Sequence, residues 1–382
     1  MKSKVVILAV SDYDAAAIKE KIKKAIDQHF PLERFFSPAD LILLKPNLLM
    51  PATPDQAVVT HPVFVQAVAG IFQDFGCRVS VGDSPGGFTD RKAMEDVYGQ
   101  SGYFALRQSG VQLLHPDQGV EREGLPFCWW AAGGYKLVSL PKIKTHELMT
   151  LTLAVKNMYG CVSGAHKSKL HVDYLRPVDF VEMLLKVYRL ARPAFSICDG
   201  ILAMEGPGPS LRGVPRRLGV VVLGDDAMYV DLAISRLLGV RDDQHILIRR
   251  AKELGLVQPD DLEIVSEVPV PMVKDYKLPR QTGLDMIPAP MLEPLKVLFR
   301  FYPVVTAKCT ACGACIQVCP RKTITMKGKR ALIHKERCIR CLCCAEMCRF
   351  GAIELEKSLL LKMASAAAKL IRGEHAGHKI QK

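Results

Sequence analysis

Two copies of one cysteine pattern stand about thirty residues apart near the end of the chain. Cys309, Cys312, Cys315 and Cys319 follow C-x2-C-x2-C-x3-C, with Pro320 next, and Cys338, Cys341, Cys344 and Cys348 repeat the spacing. Three thiolates on one tight loop match three corners of an iron–sulfur cube, and the fourth must come from elsewhere. In this run the fourth cysteine reaches the other cluster. The expected ligand sets are Cys309, Cys312, Cys315 and Cys348 for one [4Fe–4S] cluster, and Cys338, Cys341, Cys344 and Cys319 for the other. Soft thiolates also suit zinc, but structural zinc sites usually draw their ligands as two separated pairs.

A second group of polar residues sits where apolar runs end. Lys45-Pro46-Asn47, Gly82-Asp83-Ser84-Pro85-Gly86-Gly87, Lys142-Ile143-Lys144-Thr145-His146 and Asp199-Gly200 each follow a short apolar stretch, and Glu205 comes soon after the last. Ligands of open α/β sheets bind beyond the carboxyl ends of strands. These clusters are therefore candidates for one shared site, although Gly, Pro, Asp and Ser are also ordinary turn residues. Lys45, Asn47, Lys144, Asn157, Asp199 and Glu205 are candidates for holding a small anionic molecule, and Lys156, Asp83, His146 and His171 for moving protons. Lys156 beside Asn157 in an apolar run is unusual, because a buried lysine must be paired or lose its charge. The glycine loop at 82–87 would let backbone amides approach an anion, but it is neither a dinucleotide fingerprint nor a P-loop. His61, His166 and Lys142 complete the polar inventory, and Cys161 reads as a buried, inert thiol.

The elements that position these residues alternate in type. Strands are expected at Val5–Val10, Asp40–Lys45, Arg78–Val81, Lys136–Leu140, Ala194–Cys198 and Leu218–Leu223. Helices are expected at Asp14–Phe30, Val63–Phe75, Leu175–Ala191 and Met228–Leu238, where apolar residues recur at helical spacing. Alternation of this kind predicts an α/β fold with a mostly parallel sheet. The expected layout is an α/β domain over 1–280, a Pro-rich linker with a short helix over 281–303, a small α+β ferredoxin-like unit over 304–356, and a basic helix and tail over 357–382.

Composition narrows the class. Nearly half of the 382 residues are hydrophobic, and eight of the 13 cysteines lie in the two motifs, a pattern that suits a reducing compartment. No apolar run approaches the length of a membrane span, and the opening residues do not read as a signal peptide, so a cytoplasmic protein is expected. The formal charge of +13 invites a nucleic-acid reading. Bound clusters are formally negative, however, and the basic residues around the motifs lack interleaved stacking aromatics. They suit an acidic redox partner better.

The strings LLKPNLL, THP, VGDSPGG, LPKIKTH, LAVKNMYG, DGILAMEGPGP and GDDAMYVD together resemble the domain-of-unknown-function family 362, whose members often carry a C-terminal two-cluster ferredoxin unit. The resemblance implies the fold and an iron–sulfur cofactor but no substrate. Two departures stand out: Arg349 replaces the proline that usually follows the second motif, and Cys343 is an extra thiol beside Cys344. The expected function is electron transfer through two [4Fe–4S] clusters, exchanged with a soluble carrier of ferredoxin or flavodoxin type. The electrons would reach a small anionic substrate or cofactor in the α/β domain, as in a ferredoxin-dependent oxidoreductase. The alternative is a non-catalytic electron carrier or a maturation factor for another enzyme.

Overall fold

Val5 and Ile7 pack into one core while Val6 and Leu8 pack into another, and all four are buried. Side chains of a strand alternate between faces, so β1 (Ser3–Ala9) must be covered on both sides. The computed structural model, which describes residues 2–87, 91–116, 119–273, 275–279 and 301–357, builds the rest of the molecule around that requirement. In chain order follow β2 (Leu41–Pro46), β3 (Arg78–Val81), β4 (Gln112–Leu113), β5 (Gly119–Arg122), β6 (Leu125–Cys128), β7 (Lys136–Leu140), β8 (Lys142–His146), β9 (Thr150–Thr152), β10 (Phe195–Glu205), β11 (Val214–Gly224) and β12 (Leu262–Ser266).

The main sheet runs β12-β1-β11-β10-β7-β2-β3-β4. Only β11 in that path is antiparallel to its neighbours, so the sheet is mostly parallel and the architecture is α/β. Past Pro141, β8 continues from β7 alongside β10 and turns back into β9. The helices that cover the sheet include α1 (Ala15–His29), α2 (Pro62–Asp74), α3 (Arg91–Gln100), α4 (Trp129–Ala132), α5 (Ala154–Asn157), α6 (Gly164–Asp173), α7 (Pro177–Ala191), α8 (Ala227–Leu237) and α9 (Ile246–Glu253). Helix α1 starts where the Asp14 side chain accepts the Ala17 amide at 2.8 Å, and it buries Ile18, Ile22 and Ile26 along one stripe. Helix α2 opens on Pro62, whose fixed φ suits a first turn.

The small unit is α+β. β13 (Phe301–Val305) pairs with β16 (Ile353–Lys357), and β14 (Ile324–Lys327) pairs with β15 (Arg330–Ile333), all antiparallel. A short helix follows in each cysteine motif, at Ala314–Val318 and Cys343–Glu346. One of the two cores of the α/β sheet continues without a break into this unit, through Val318, Ala345, Met347 and Ile353.

Several expectations shift. The segment Lys142–His146, read as a polar cluster after a strand, is itself a buried strand, and β10 runs on through Asp199 and Gly200 to Glu205. Charged residues fit inside these strands because most of them have found partners there, which local sequence does not reveal. Strand β13 begins at Phe301, inside the expected linker. The rest of that linker, residues 281–300, and the tail 358–382 lie outside the described residues.

Helix α5 is short, and its start depends on a distant residue. The Asp231 carboxylate on α8 accepts the amides of Ala154 (2.7 Å) and Val155 (3.2 Å). Burial holds the Asp231 pKa well above the usual carboxylate range, and the two amides only partly counter it. Asp231→Ala strands both amides in a buried site, so it is expected to cost about 2–4 kcal/mol of stability. A denaturant melt showing under about 0.5 kcal/mol of loss would rule out this anchoring role.

Candidate functional site

Strands β2, β3 and β8 end on the same side of the sheet, and α5 and α6 approach from above. Between them lies a cavity of about 100 Å³, room for a small molecule or a few waters. Its lining includes Lys45, Asn47, Asp83, Lys144, His146, Lys156, Asn157 and His171, eight of the ten candidates named from sequence. The other two are placed elsewhere. Asp199 is fully buried against Lys142 at 2.8 Å and accepts the Tyr13 hydroxyl at 2.8 Å. Glu205 binds Arg216 at 2.6 Å. Both carboxylates sit within or at the end of β10 and are consumed by those pairs.

Hydrogen bonding sorts the lining into two groups. Lys45 donates to Asp83 (2.7 Å), the Pro46 carbonyl (2.9 Å) and Asn157 Oδ1 (3.2 Å), which uses all three ammonium protons. Asp83 accepts the amides of Leu48 and Ser84 as well, and Asn157 donates to the Lys45 carbonyl and Ser139. These three residues form a closed network, so Asp83 is not free to act as a base and Lys45 has no proton left for a ligand. Gly160 seals it. A Cβ there would overlap Lys45 Nζ and Asp83 Oδ1, so only glycine allows this approach.

The second group is under-satisfied. Lys144 is buried, faces no carboxylate directly among the described residues and donates to the carbonyls of Val58 (2.7 Å) and Pro209 (3.4 Å). Burial, and then the neighbouring Lys156, push its pKa well below the usual lysine value. Lys156 is half-buried and, among the described residues, has no hydrogen-bond or ion-pair partner. Burial lowers its pKa, while Glu346 and Cys343 act in the other direction. Asn47 Oδ1 is buried without a partner. The Lys167 ammonium donates to the Ser84 carbonyl, and burial brings its pKa down to about 8.

The two histidines are held neutral. His146 Nδ1 accepts the amides of Leu148 (3.1 Å) and Met149 (3.2 Å), so the ring proton sits on Nε2, 3.2 Å from Glu346. Burial, followed by Lys156, lowers the His146 pKa to about 4. His171 stacks on Phe180 at 4.5 Å, and burial brings its pKa to about 4 as well. Burial alone would raise Glu346, but His146 and Lys156 outweigh it and hold the carboxyl at about 2.

Glu346 belongs to the cysteine-rich unit, which forms one wall of the cavity through Val318, Cys343, Glu346 and Met347. The seam is close. Gly87 (φ +74°) lies where a Cβ would come within 2.9 Å of Val318, and the hydroxyls of Ser168 and Ser210 donate to the carbonyls of Val318 and Ala345. Sequence reading missed Glu346, whose partner is far away in the chain. Lys167 is buried in the cavity wall, whereas its neighbour His166 is exposed.

The cysteines fall into two groups. Cys309, Cys312, Cys315 and Cys348 line one small cradle between the first motif and the start of β16. Cys338, Cys341 and Cys319 lie within electrostatic reach of Cys344, as does Cys315 of the first group. Backbone amides point at cysteine sulfurs in both groups, from Thr323 to Cys319 (3.3 Å), Arg340 to Cys338 (3.4 Å) and Ala352 to Cys348 (3.2 Å). Such bonds suit thiolates that carry a cluster's charge. The donor chemistry therefore fits iron–sulfur ligation. Among the described residues, no three His, Cys, Asp or Glu side chains are placed to share one metal ion. Cys161 is buried, and burial pushes its thiol up to about 12.

A mostly parallel α/β sheet joined to a unit with this cysteine pattern defines an iron–sulfur protein of α/β class. The chain belongs to the family of the domain of unknown function DUF362, which it matches over residues 42–236, and it carries a 4Fe-4S dicluster domain over residues 308–352. It is 30% identical to the thylakoid-associated protein sll1697 of Synechocystis sp. over 290 residues, 73% of this chain and 88% of that protein. A ferredoxin-like protein in the nif region of Sinorhizobium fredii is 35% identical over 40 residues, 10% of this chain and 62% of that one. The lactate racemase apoprotein of Thermoanaerobacterium thermosaccharolyticum aligns with a TM-score of 0.34 at 12% identity, covering 52% of this chain and 50% of that chain. No helix among the described residues is long and apolar enough to cross a membrane.

Gly160→Ala forces the Lys45–Asp83 pair apart. It is expected to lower stability by about 2–4 kcal/mol, far more than the roughly 1 kcal/mol typical of point substitutions. A thermal melt matching the parent protein would show that the close approach is not needed.

Proposed function

We propose that the protein carries two [4Fe–4S] clusters in the crossed arrangement and transfers electrons to a small anionic molecule bound in the cavity of the α/β domain. One cluster is held by Cys309, Cys312, Cys315 and Cys348, the other by Cys338, Cys341, Cys344 and Cys319. The observation that carries this reading is the shared wall: Cys343 and Glu346, on the helix between the second set's ligands and Cys348, line the same cavity as Lys144 and Lys156. Bound clusters supply one-electron chemistry, and the chain supplies binding, orientation and protons.

Lys144, Lys156 and Asn47 are the groups with binding capacity to spare. A buried ammonium is costly without an anion, so an anionic ligand favours its charged form and the site takes up protons as it fills. Affinity therefore rises as pH falls toward neutrality, because less of the lysine must be protonated on binding. His146 carries its Nε2 proton between Glu346 and the cavity, and Lys156 is the ammonium best placed to give a proton to a reduced ligand. Water is restricted by the iron–sulfur unit, which strengthens each of these interactions. In this reading the protein works as an oxidoreductase dependent on a soluble one-electron carrier.

Native mass spectrometry of anaerobically purified protein is expected to show two Fe4S4 masses, and Cys312→Ala to show one fewer. Zinc in place of iron, or an unchanged cluster mass in Cys312→Ala, would overturn the ligand scheme. Lys156→Met replaces an unpartnered lysine by an apolar side chain of similar length. It is expected to leave the melting temperature unchanged or raise it, while weakening the binding of phosphate or small carboxylates by about tenfold or more. In the parent protein, thermal stabilisation by those anions is expected to be larger at pH 7 than at pH 9. No anion effect in the parent protein would leave the carrier or maturation role as the better reading.

A further inference from the structure

Charge is distributed unevenly over the iron–sulfur unit. Between Thr306 and Ile333 the chain holds six basic residues, Lys308, Arg321, Lys322, Lys327, Lys329 and Arg330, and no Asp or Glu. All six are exposed, and none forms an ion pair among the described residues. Among the described residues, ion pairs within this unit lie further along, at Lys335–Glu356 and His334–Glu336. Protein surfaces normally intersperse the two signs. A block of one sign projects a potential over about 10 Å at 0.1 M salt and steers an oppositely charged partner.

Part of the block borders the first cysteine set, because Met326 and Ala331 line its cradle and bring the Lys327–Arg330 turn beside it, while Arg321 and Lys322 follow Cys319 of the second set. Cys312 is exposed, and Met326 and Phe350, which line the cradle with Cys309, Cys312 and Cys348, are 40% and 46% exposed. Lys308 adjoins Cys309, while Lys327 and Arg330 face each other across the turn that carries Lys329. An apolar centre of two large side chains with a charged rim is the usual anatomy of a protein-docking site. The second cysteine set, in contrast, borders the cavity. Its neighbours Val318, Cys343, Glu346 and Met347 are turned onto the cavity.

We propose that the face formed by Lys308, Met326, Lys327, Lys329, Arg330 and Phe350 docks an acidic one-electron carrier protein, which exchanges electrons with the cluster held by Cys309, Cys312, Cys315 and Cys348. The other cluster then serves the cavity, so the two have distinct roles as outer port and inner port. The exchange balances simply: the reduced carrier loses one electron, the oxidised cluster gains it, and no bond forms or breaks. Charge complementarity is what selects the occupant. A second copy of this positive face would be repelled, and an anionic lipid surface would reward the charges without needing them around an exposed ligand cysteine.

This inference rests on the electron-transfer reading, and one experiment separates their failures. The full-length, cluster-loaded protein is mixed in a stopped-flow instrument with an acidic flavodoxin in its hydroquinone form. The test variant is Lys327→Glu/Arg330→Glu, and the control is Lys24→Glu on the exposed face of α1. The double variant is expected to lose about tenfold or more of the second-order rate at about 10 mM salt, and to approach the parent rate at about 0.5 M. The control is expected to stay within about twofold. Dithionite should bleach all three proteins to the same end point, showing intact clusters. Failure of dithionite to reduce the parent protein defeats the electron-transfer reading itself. Equal bleaching with equal flavodoxin rates overturns the docking face alone. The same holds if anionic vesicles retain the parent protein and not the double variant while the flavodoxin rates stay equal.

Discussion

The buried pair between Lys45 and Asp83 is the contact on which the site depends. It joins the ends of β2 and β3 at 2.7 Å with almost no solvent exposure on either side chain. A pair this deep gives up hydration that its own attraction only partly restores. The surrounding hydrogen bonds make up the difference: Asn157 reaches it from α5, Leu48 and Ser84 offer amides, and Gly160 leaves room for all of them. Asp231 in turn fixes α5 from α8. The charged floor of the cavity is therefore a structural clamp linking two strand ends and a helix. Its rigidity is what lets Lys144 and Lys156 remain poorly satisfied a short distance away.

That division matters for reading lysines generally. Lys45, Lys142, Lys144 and Lys156 look alike in sequence, each beside an apolar run. In space they separate by partners. Lys45 and Lys142 each face a carboxylate within 2.8 Å. Among the described residues, Lys144 has only carbonyls, and Lys156 has nothing direct. Cations without counter-charges are destabilising where they are buried, and this poorly paired couple is what supports the proposed anionic ligand.

Much of the framework was legible in the sequence, because it is written in local periodicity and spacing. The strands at Arg78–Val81 and Lys136–Leu140 match their expected limits, and the cysteine spacing announces an iron–sulfur unit. What failed is instructive. Lys142–His146 and Asp199–Glu205 read as loops because charged residues rarely occupy strand interiors. Their burial depends on partners such as Tyr13, far off in the chain, and Arg216 on the neighbouring strand β11. Glu346 gave no local signal at all, since its role arises only when the iron–sulfur unit docks and brings it to His146. Long-range pairing of charges is the part of a fold that periodicity cannot carry.

The docked unit also explains why the extra thiol Cys343 is tolerated beside a ligand. It is buried on the cavity wall, between the second cysteine set and Lys156. A larger or charged residue there would fill the cavity or add a second carboxylate to the one at Glu346. A small, weakly polar side chain instead keeps the wall thin, as the proposed electron transfer would require. Two opposed demands meet at this helix. Under the proposed function it must shield Lys144 and Lys156 from water and still leave a bound anion close to the second set of thiolates. A four-residue helix carrying Cys344 on one side and Cys343 and Glu346 on the other satisfies both, because residues so close in sequence turn different faces outward.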